Sequence, residues 1–203
     1  MYKNIVFDLG GVVFNYDPAG YLKEEFGEGS VADTIMELTF ASQDWYALDR
    51  GDISLADLNE RFIALGEERG IANEMRIATS GWVNTLVPKK DTLALMQRLK
   101  QEGYTLYYLS NIGGDMLKRL SRHSFWSIFT GGVASYEIGV LKPDERMYRE
   151  LLSRYALEPA ETIFTDDMKK NAQAATALGI TGIHFKDAQD FEKALRACNV
   201  IDN

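Results

Sequence analysis

Cysteine is almost missing from this chain. Cys198 is the single one among 203 residues. No intramolecular disulfide framework can form, and there is no CxxC metal or redox site. Cys198 is expected to be a reduced, cytosolic thiol near a C-terminal helix. Histidine is nearly as scarce. His123 and His184 have no partner at metal or triad spacing, and neither is assigned a role. Positive charge is in deficit: 22 Lys and Arg face 30 Asp and Glu, for a net charge of −8. That balance argues against nucleic acid as a partner, because phosphate backbones are held by clustered cations. It still allows a small phosphorylated ligand, which needs only one or two cations and some amides. No apolar run approaches the roughly 18–20 residues of a membrane span. Asp8 interrupts the N-terminal apolar run, so no secretory leader is expected there. The expectation is a cytoplasmic protein without membrane contact. No internal repeat and no low-complexity segment stands out.

What is present is ordinary for a globular protein: 46% hydrophobic and 26% charged residues. The length suffices for one sizeable domain, or a core plus a small second unit. Nothing in it demands an oligomer, so a monomer or weak dimer is expected. The most informative stretch is Lys3-Asn4-Ile5-Val6-Phe7-Asp8-Leu9-Gly10-Gly11-Val12-Val13. An apolar run of this kind reads as a strand buried on both faces, as in the centre of a parallel sheet. It places the Asp8 carboxylate at the strand's C-terminal end, where open α/β sheets bind ligands. The glycines let backbone amides come close to whatever binds there. Such an aspartate can be a metal ligand, a nucleophile or both. Taken alone it can equally be a turn aspartate that caps backbone amides.

Asp17 and Pro18 suit the N-cap and first position of a helix. From there to Trp82 no strand is evident. Short helices are expected over 31–40, after Ser42, after Ser54 and over 73–80. Leu55, Leu58, Phe62 and Leu65 share one face of the third. Pro88 is expected to open a helix carrying Leu95, Met96 and Leu99. Strands then alternate with helices: strands over 104–109, 162–165 and 180–185, and helices over 115–120, from Pro143 to Tyr155, up to Leu178 and over 187–197. This alternation predicts an α/β fold, a Rossmann-like, doubly wound parallel sheet. The helical stretch is too long for an ordinary connection. It reads as an inserted helical cap over residues 16–85, set into a core of residues 1–15 and 86–203.

Each informative strand ends in a polar group: Asp8, then Ser110-Asn111, then Asp166-Asp167. Lys142 arrives from a loop before a helix. On the shared edge of a parallel sheet these groups would converge. Ser110 alone could cap a helix, and Lys142 alone could be a solvated surface residue. Adjacent Asp166 and Asp167 repel each other unless a cation is present.

Four motifs run in order across the chain: F-D-L-G-G-V at Phe7–Val12, L-S-N at Leu109–Asn111, L-K-P-D at Leu141–Asp144 and F-T-D-D at Phe164–Asp167. With Arg50-Gly51-Asp52-Ile53-Ser54 and the run from Ala174 to Ile180, the set resembles the haloacid dehalogenase superfamily, in the branch with an inserted helical cap. The resemblance implies phosphoryl transfer through an aspartyl-phosphate on Asp8. It implies Mg²⁺ held by Asp8, the carbonyl of Gly10 and Asp167, with Asp166 behind them or contributing weakly. Ser110 and the amides of Leu9, Gly10 and Asn111 would donate to the phosphoryl group, and Lys142 would neutralise charge. From the cap, Arg50 could reach the substrate or form an exposed salt bridge. Trp45 and Tyr46 could line the substrate cavity or pack between cap helices. Trp82 and Trp126 read as core, and Lys169 and Lys170 as solvated.

The sequence departs from that pattern at Gly10, where phosphatases of the family usually carry a second aspartate as general acid and base. Such help is typically worth about 10²- to 10⁴-fold. Three readings stay open. In the first, the substrate has a good leaving group, as in an acyl phosphate or a sugar 1-phosphate. This last option is supported by similarity to bacterial α-glucose-1-phosphate phosphatases of the family. Alternatively an acid from the cap or a bound water substitutes, or the protein binds a phosphorylated ligand with weak or no turnover. A 2-haloacid dehalogenase also lacks the second aspartate but needs no metal, so the Asp166-Asp167 pair favours a metal-dependent phosphatase.

Overall fold

The structure is a computed structural model, and it describes residues 1–201. The last two residues of the expected core, 202–203, lie outside the described residues. The first apolar run forms strand β1 (Asn4–Phe7), buried along its whole length. Its neighbours are β2 (Thr105–Ser110) on one side and β4 (Thr162–Asp166) on the other. β3 (Gly131–Ala134) and β5 (Thr181–His184) complete the order β3-β2-β1-β4-β5, with every pairing parallel. Side chains alternate across β1. Ile5 and Phe7 pack into one apolar layer and Val6 into the opposite one.

The strand order runs outward in both directions from β1. Such a switch point opens a crevice beyond the carboxyl ends of the central strands. The register fixes what lies there. Phe7 pairs with Tyr108 on one side and Thr165 on the other. One residue further on, Asp8 stands level with Asp166, and Ser110 lies one step beyond on the other flank.

Between β1 and β2 come α1 (Pro18–Phe26), α2 (Ser30–Leu38), α3 (Gln43–Arg50), α4 (Leu55–Glu68) and α5 (Ala72–Gly81). Asp17, Ser42 and Ser54 cap α1, α3 and α4 with their side-chain oxygens, each filling a backbone N–H that the helix leaves open. A 3-10 turn at Trp82–Thr85 leads back toward the sheet. Here the structure differs from expectation. Pro88 does not open a helix. It pairs with Phe14 in an antiparallel bridge, and α6 (Lys90–Gln101) begins two residues later. The Asn15 amide donates to the Val87 carbonyl and the Lys89 amide to the Val13 carbonyl. Outgoing and returning chains are thus stitched side by side. The missing N–H of proline costs this bridge nothing, because the bonds flank it.

The remaining helices are α7 (Gly114–Leu120), α8 (Ser135–Ile138), α9 (Glu145–Arg154), α10 (Lys169–Ala177) and α11 (Ala188–Ala197). Asp144 and Asp187 cap α9 and α11. One sheet face packs on α6 and α11, with Phe191 meeting Phe7 edge to face at 5.8 Å. The other packs on α9 and α10, with Tyr148 against Phe164 at 5.6 Å. The first layer continues into the helical segment through Ile35, Phe40, Trp45, Leu58 and Phe62. Trp82 is core, as expected. Trp126 is only half-buried, because its 3-10 turn runs along the sheet margin against Tyr108 and Phe129.

Candidate active site

Asp8 is the first residue past β1, and it is 7% exposed. Lys142, from the loop before α9, is buried at 4% and stands beside it. Its Nζ lies 2.9 Å from Asp8 Oδ1 and 2.6 Å from Asp166 Oδ2, and it donates to the Leu109 carbonyl at 2.9 Å. A lysine accepts such burial only when its three N–H groups are all met. Asn111 holds the loop in place. Its Oδ1 accepts from the Lys142 amide at 2.7 Å and its Nδ2 donates to the Lys142 carbonyl at 3.1 Å. The Asn111 side chain is therefore a bracket for Lys142. Ser110 is buried at the end of β2, on the same edge.

Asp166 is fully buried, and both of its oxygens are taken. They accept from Lys142, from Asn171 Nδ2 at 3.0 and 3.1 Å, and from the Met168 amide at 2.8 Å. This places Asp166 as the anchor of Lys142. Asp167, its neighbour, is exposed toward the crevice. Carboxylate oxygens of Asp8, Asp166 and Asp167 lie within 4.8 Å of one another.

The two glycines after Asp8 have different reasons to be there. Gly11 has φ +72°, and a Cβ on it would fall 2.2 Å from Asp167 Oδ2. Only glycine fits, on both grounds. Gly10 has no such constraint, since a Cβ there would meet Tyr16 Cβ at 3.6 Å, an ordinary contact. We expect Gly11→Ala to displace Asp167 and weaken Mg²⁺ binding by about tenfold or more, the scale of losing a ligand's positioning. Titration of the variant with Mg²⁺ checks this, and unchanged affinity would separate Asp167 from the metal.

The donor set fits a hard cation. Three carboxylates lie together, and two of them share one buried lysine. That leaves an excess of negative charge, and oxygen donors of this kind suit Mg²⁺. Asp8, Asp167 and the Gly10 carbonyl would hold it. Without a cation, burial pushes the Asp8 carboxyl up to about 7, the Asp166 and Asp167 charges add to this, and Lys142 opposes it. Burial and the Asp166 charge also raise Asp167, against Lys142 and Lys89. Lys142 is pulled down by burial, but Asp8 and Asp166 outweigh that and leave it raised. Mg²⁺ favours the ionised carboxylate, so its binding must release the Asp8 proton. The apparent Mg²⁺ affinity should rise with pH up to about 7 and level off above, with proton release only below that point. Calorimetry in buffers of different ionisation enthalpy reads both, and an affinity that falls with pH would contradict the assignment.

A cavity of about 550 Å³ opens over Asp8. Asp8, Ser110, Asn111, Lys142 and Asp167 line it from the sheet edge. Phe14, Phe40, Trp45, Trp82, Leu86 and Met116 form an apolar wall. Trp45 is buried, with ring centroids 4.7 Å from Phe40 and 4.9 Å from Trp82, so it both packs and lines the cavity. Arg50 also lines it, while its Nε pairs with Asp52 at 2.8 Å. Tyr46 lines it as well, and Tyr16, Gln43, Leu48 and Asp49 complete the lining contributed by the helical side.

Several of these residues escaped the sequence reading. Asp49 lies one position before Arg50 and one helical turn after Trp45, and that phasing was the available signal. Asn171 reads as an ordinary helix residue, yet it clamps Asp166. Lys89 donates to the Gly11 carbonyl, and His184 Nε2 lies 2.9 Å from the Asp167 carbonyl. These contacts join distant segments, so no local pattern announces them.

A model of the family described as haloacid dehalogenase-like hydrolase matches residues 2–179. The chain belongs to that family. Among its relatives in this hydrolase family is the sesquiterpene phosphatase astK of Aspergillus oryzae. It is 30% identical, over 92% of this chain and 91% of that protein. The D-ribitol-5-phosphate phosphatase of Bacteroides thetaiotaomicron is 24% identical, over 96% of this chain and 97% of that one. A solved structure of a haloacid dehalogenase family enzyme from Bacteroides thetaiotaomicron, in complex with magnesium and inorganic phosphate, superposes with TM-score 0.73. It is 25% identical and covers 97% of this chain and 100% of that chain. Within the hydrolase family this chain is a phosphatase, a phosphoric monoester hydrolase, and Mg²⁺ is the cation its carboxylates suit.

Proposed function

We propose that this phosphatase hydrolyses a small phosphorylated metabolite through an aspartyl-phosphate on Asp8. The observation that carries the reading is Asp8 itself. It is a buried carboxylate at the sheet's switch point, 2.9 Å from a lysine and facing a cavity shared with Ser110 and Asp167. The charge of Lys142 and the Ser110 hydroxyl draw in the phosphoryl oxygens, with the amides of Gly10 and Asn111, while the Leu9 amide, expected to join them, donates to Asp8 Oδ1 at 2.7 Å. Asp8, Asp167 and the Gly10 carbonyl would hold Mg²⁺, which would supply charge neutralisation for the phosphoryl group. An Asp8 oxygen attacks phosphorus, the ester oxygen leaves, and water then hydrolyses the acyl phosphate. Residues 16–85 act as a cap over this site, on a core of residues 1–15 and 86–203. We take the protein to work in the cytoplasm as a monomer or weak dimer.

The leaving group follows from Gly10. With no carboxyl on that residue, a substrate with an acidic leaving oxygen is favoured, and a sugar 1-phosphate is one. The apolar wall favours a second reading, a monophosphate with an apolar body. Phe14, Phe40, Leu86 and Met116 offer sugar hydroxyls no partner, and unpaired hydroxyls are costly to bury. The named activity of the Aspergillus oryzae relative points the same way. Phosphate release with Mg²⁺ decides, on a panel of sugar 1-phosphates, sugar 6-phosphates, nucleotides, acyl phosphates and terpenyl monophosphates. Preference for sugar 1-phosphates supports the first reading, and preference for terpenyl monophosphates supports the second. Silence on the whole panel would leave a ligand-binding protein.

A further inference from the structure

The cavity is lined by three aspartates among the described residues: Asp8, Asp49 and Asp167. On the reading above, Asp8 is the nucleophile and Asp167 a metal ligand. Asp49 has no part in that account, and Gly10 leaves a task unfilled. We propose that Asp49, at the C-terminal end of α3, is the general acid and base of this phosphatase. The inference rests on Asp8 as nucleophile.

Its placement is built into the joint between the helical segment and the sheet. The Ser135 hydroxyl donates to the Asp49 carbonyl and accepts from the Ile112 amide at 2.9 Å. One side chain thus ties the end of α3 to the loop that follows Ser110 and carries Asn111. Two glycines make the approach close. A Cβ on Gly113 would fall 2.9 Å from the Leu48 carbonyl oxygen. A Cβ on Gly51, which has φ +81°, would lie 3.1 Å from the Tyr136 carbonyl oxygen. The last turn of α3 is therefore seated on the core through backbone contact, and Asp49 is held in one frame with the phosphoryl site. A general acid needs that fixity, since a misplaced proton donor loses most of its effect.

The electrostatics agree. Burial and the Asp8 charge push the Asp49 carboxyl up to about 8, while Lys142, a backbone hydrogen bond from Gly113 and Arg50 oppose it. Tyr16 faces it as well and stays neutral, its own hydroxyl raised by burial and by Asp49. That direction favours the protonated carboxyl, the form a donor to a leaving alkoxide needs.

The protons balance. As an Asp8 oxygen bonds to phosphorus and the phosphorus–oxygen ester bond breaks, the departing oxygen takes the Asp49 proton. The alcohol leaves. The Asp49 carboxylate then takes a proton from the water that attacks the aspartyl-phosphate. Phosphate departs, the Asp8 carboxylate is restored and Asp49 is protonated again.

The test compares wild type with Asp49→Asn, a near-isosteric change, on phenyl phosphates of graded leaving-group acidity and on an alkyl phosphate. We expect about a 10²- to 10⁴-fold loss in kcat/KM on the alkyl phosphate. The loss should shrink steadily toward p-nitrophenyl phosphate, whose retained turnover also shows that the variant folds. In quenched single turnovers with p-nitrophenyl phosphate, the variant should accumulate phosphoenzyme, because its water lacks a base. Gly10→Asp in the Asp49→Asn background should restore the alkyl phosphate rate, since Gly10 lines the cavity and a Cβ there meets only ordinary contacts. Equal losses on all substrates would make Asp49 a binding group and overturn the proposal, as would no loss on any. Wild-type turnover without phosphoenzyme at Asp8 would instead overturn the underlying reading of Asp8.

Discussion

Asp8→Asn abolishes turnover while the protein stays folded. We expect kcat to fall by about 10⁵- to 10⁶-fold, the scale seen when a covalent nucleophile is removed. The asparagine amide keeps the shape of the carboxylate but carries no charge and cannot form the acyl phosphate. It also offers a cation no negative charge, so Mg²⁺ binding weakens in parallel. The fold should not suffer. The Asp8 carboxyl is raised to about 7 from its ordinary value, chiefly by burial. A carboxyl raised in the folded state binds its proton more tightly there than in the unfolded chain. Its ionisation therefore costs stability as pH rises from about 4 to about 7. Asparagine has no such cost, and Lys142 keeps Asp166 as partner at 2.6 Å. In Mg²⁺-free buffer above about pH 7 the variant should melt at or above the wild-type temperature. Phosphate release measured beside a thermal melt checks both halves. Residual turnover within about a thousandfold of wild type, in a clean preparation, would remove Asp8 as nucleophile.

Lys142→Met gives the largest loss of stability we expect, about 3–5 kcal/mol at neutral pH. Methionine fills a similar volume, so the loss measures charge. Asp166 is fully buried and Asp8 nearly so, and Lys142 is their shared cation at 2.6 and 2.9 Å. Removing it leaves two buried carboxylates with no opposing charge. They must take up protons or be exposed. The cost should therefore shrink as pH falls, because the carboxylates can then be neutralised. It should also shrink with saturating Mg²⁺, which restores positive charge beside Asp8 and adds binding energy to the folded state alone. Denaturant titrations across pH, with and without Mg²⁺, read all three effects. A cost below about 1 kcal/mol, or one indifferent to pH, would mean the lysine does not hold the carboxylates together.

Much of this molecule is legible in the order of its residues. Ile5-Val6-Phe7 running into Asp8 predicts a buried strand with a carboxylate at its exit, and β1 is that strand. Asp17, Ser42, Ser54 and Asp187 predict helix starts, and each caps one. These features are local: an apolar run and a side-chain oxygen two or three residues from an open amide need no distant partner. The alternation of strands and helices likewise implies a parallel sheet, and with it a single edge for Asp8, Ser110 and Asp166-Asp167.

The tertiary structure decides what those groups do to each other. A lysine in a loop reads as solvated, yet Lys142 is buried because Asn111, 31 residues away, brackets its backbone. Asp166 and Asp167 are adjacent in sequence and part in role, since Asn171 and Lys142 claim the first and leave the second facing the cavity. Pro88 pairs with Phe14 across the helical segment, where a helix start was expected. Asp49 lines the cavity over Asp8 where glycines at 51 and 113 let backbones approach closely. Burial, charge proximity and close approach are properties of pairs brought together by folding. The sequence by itself determined the elements and the chemistry on their ends, and the packing of the helical segment against the sheet determined the electrostatics of the site.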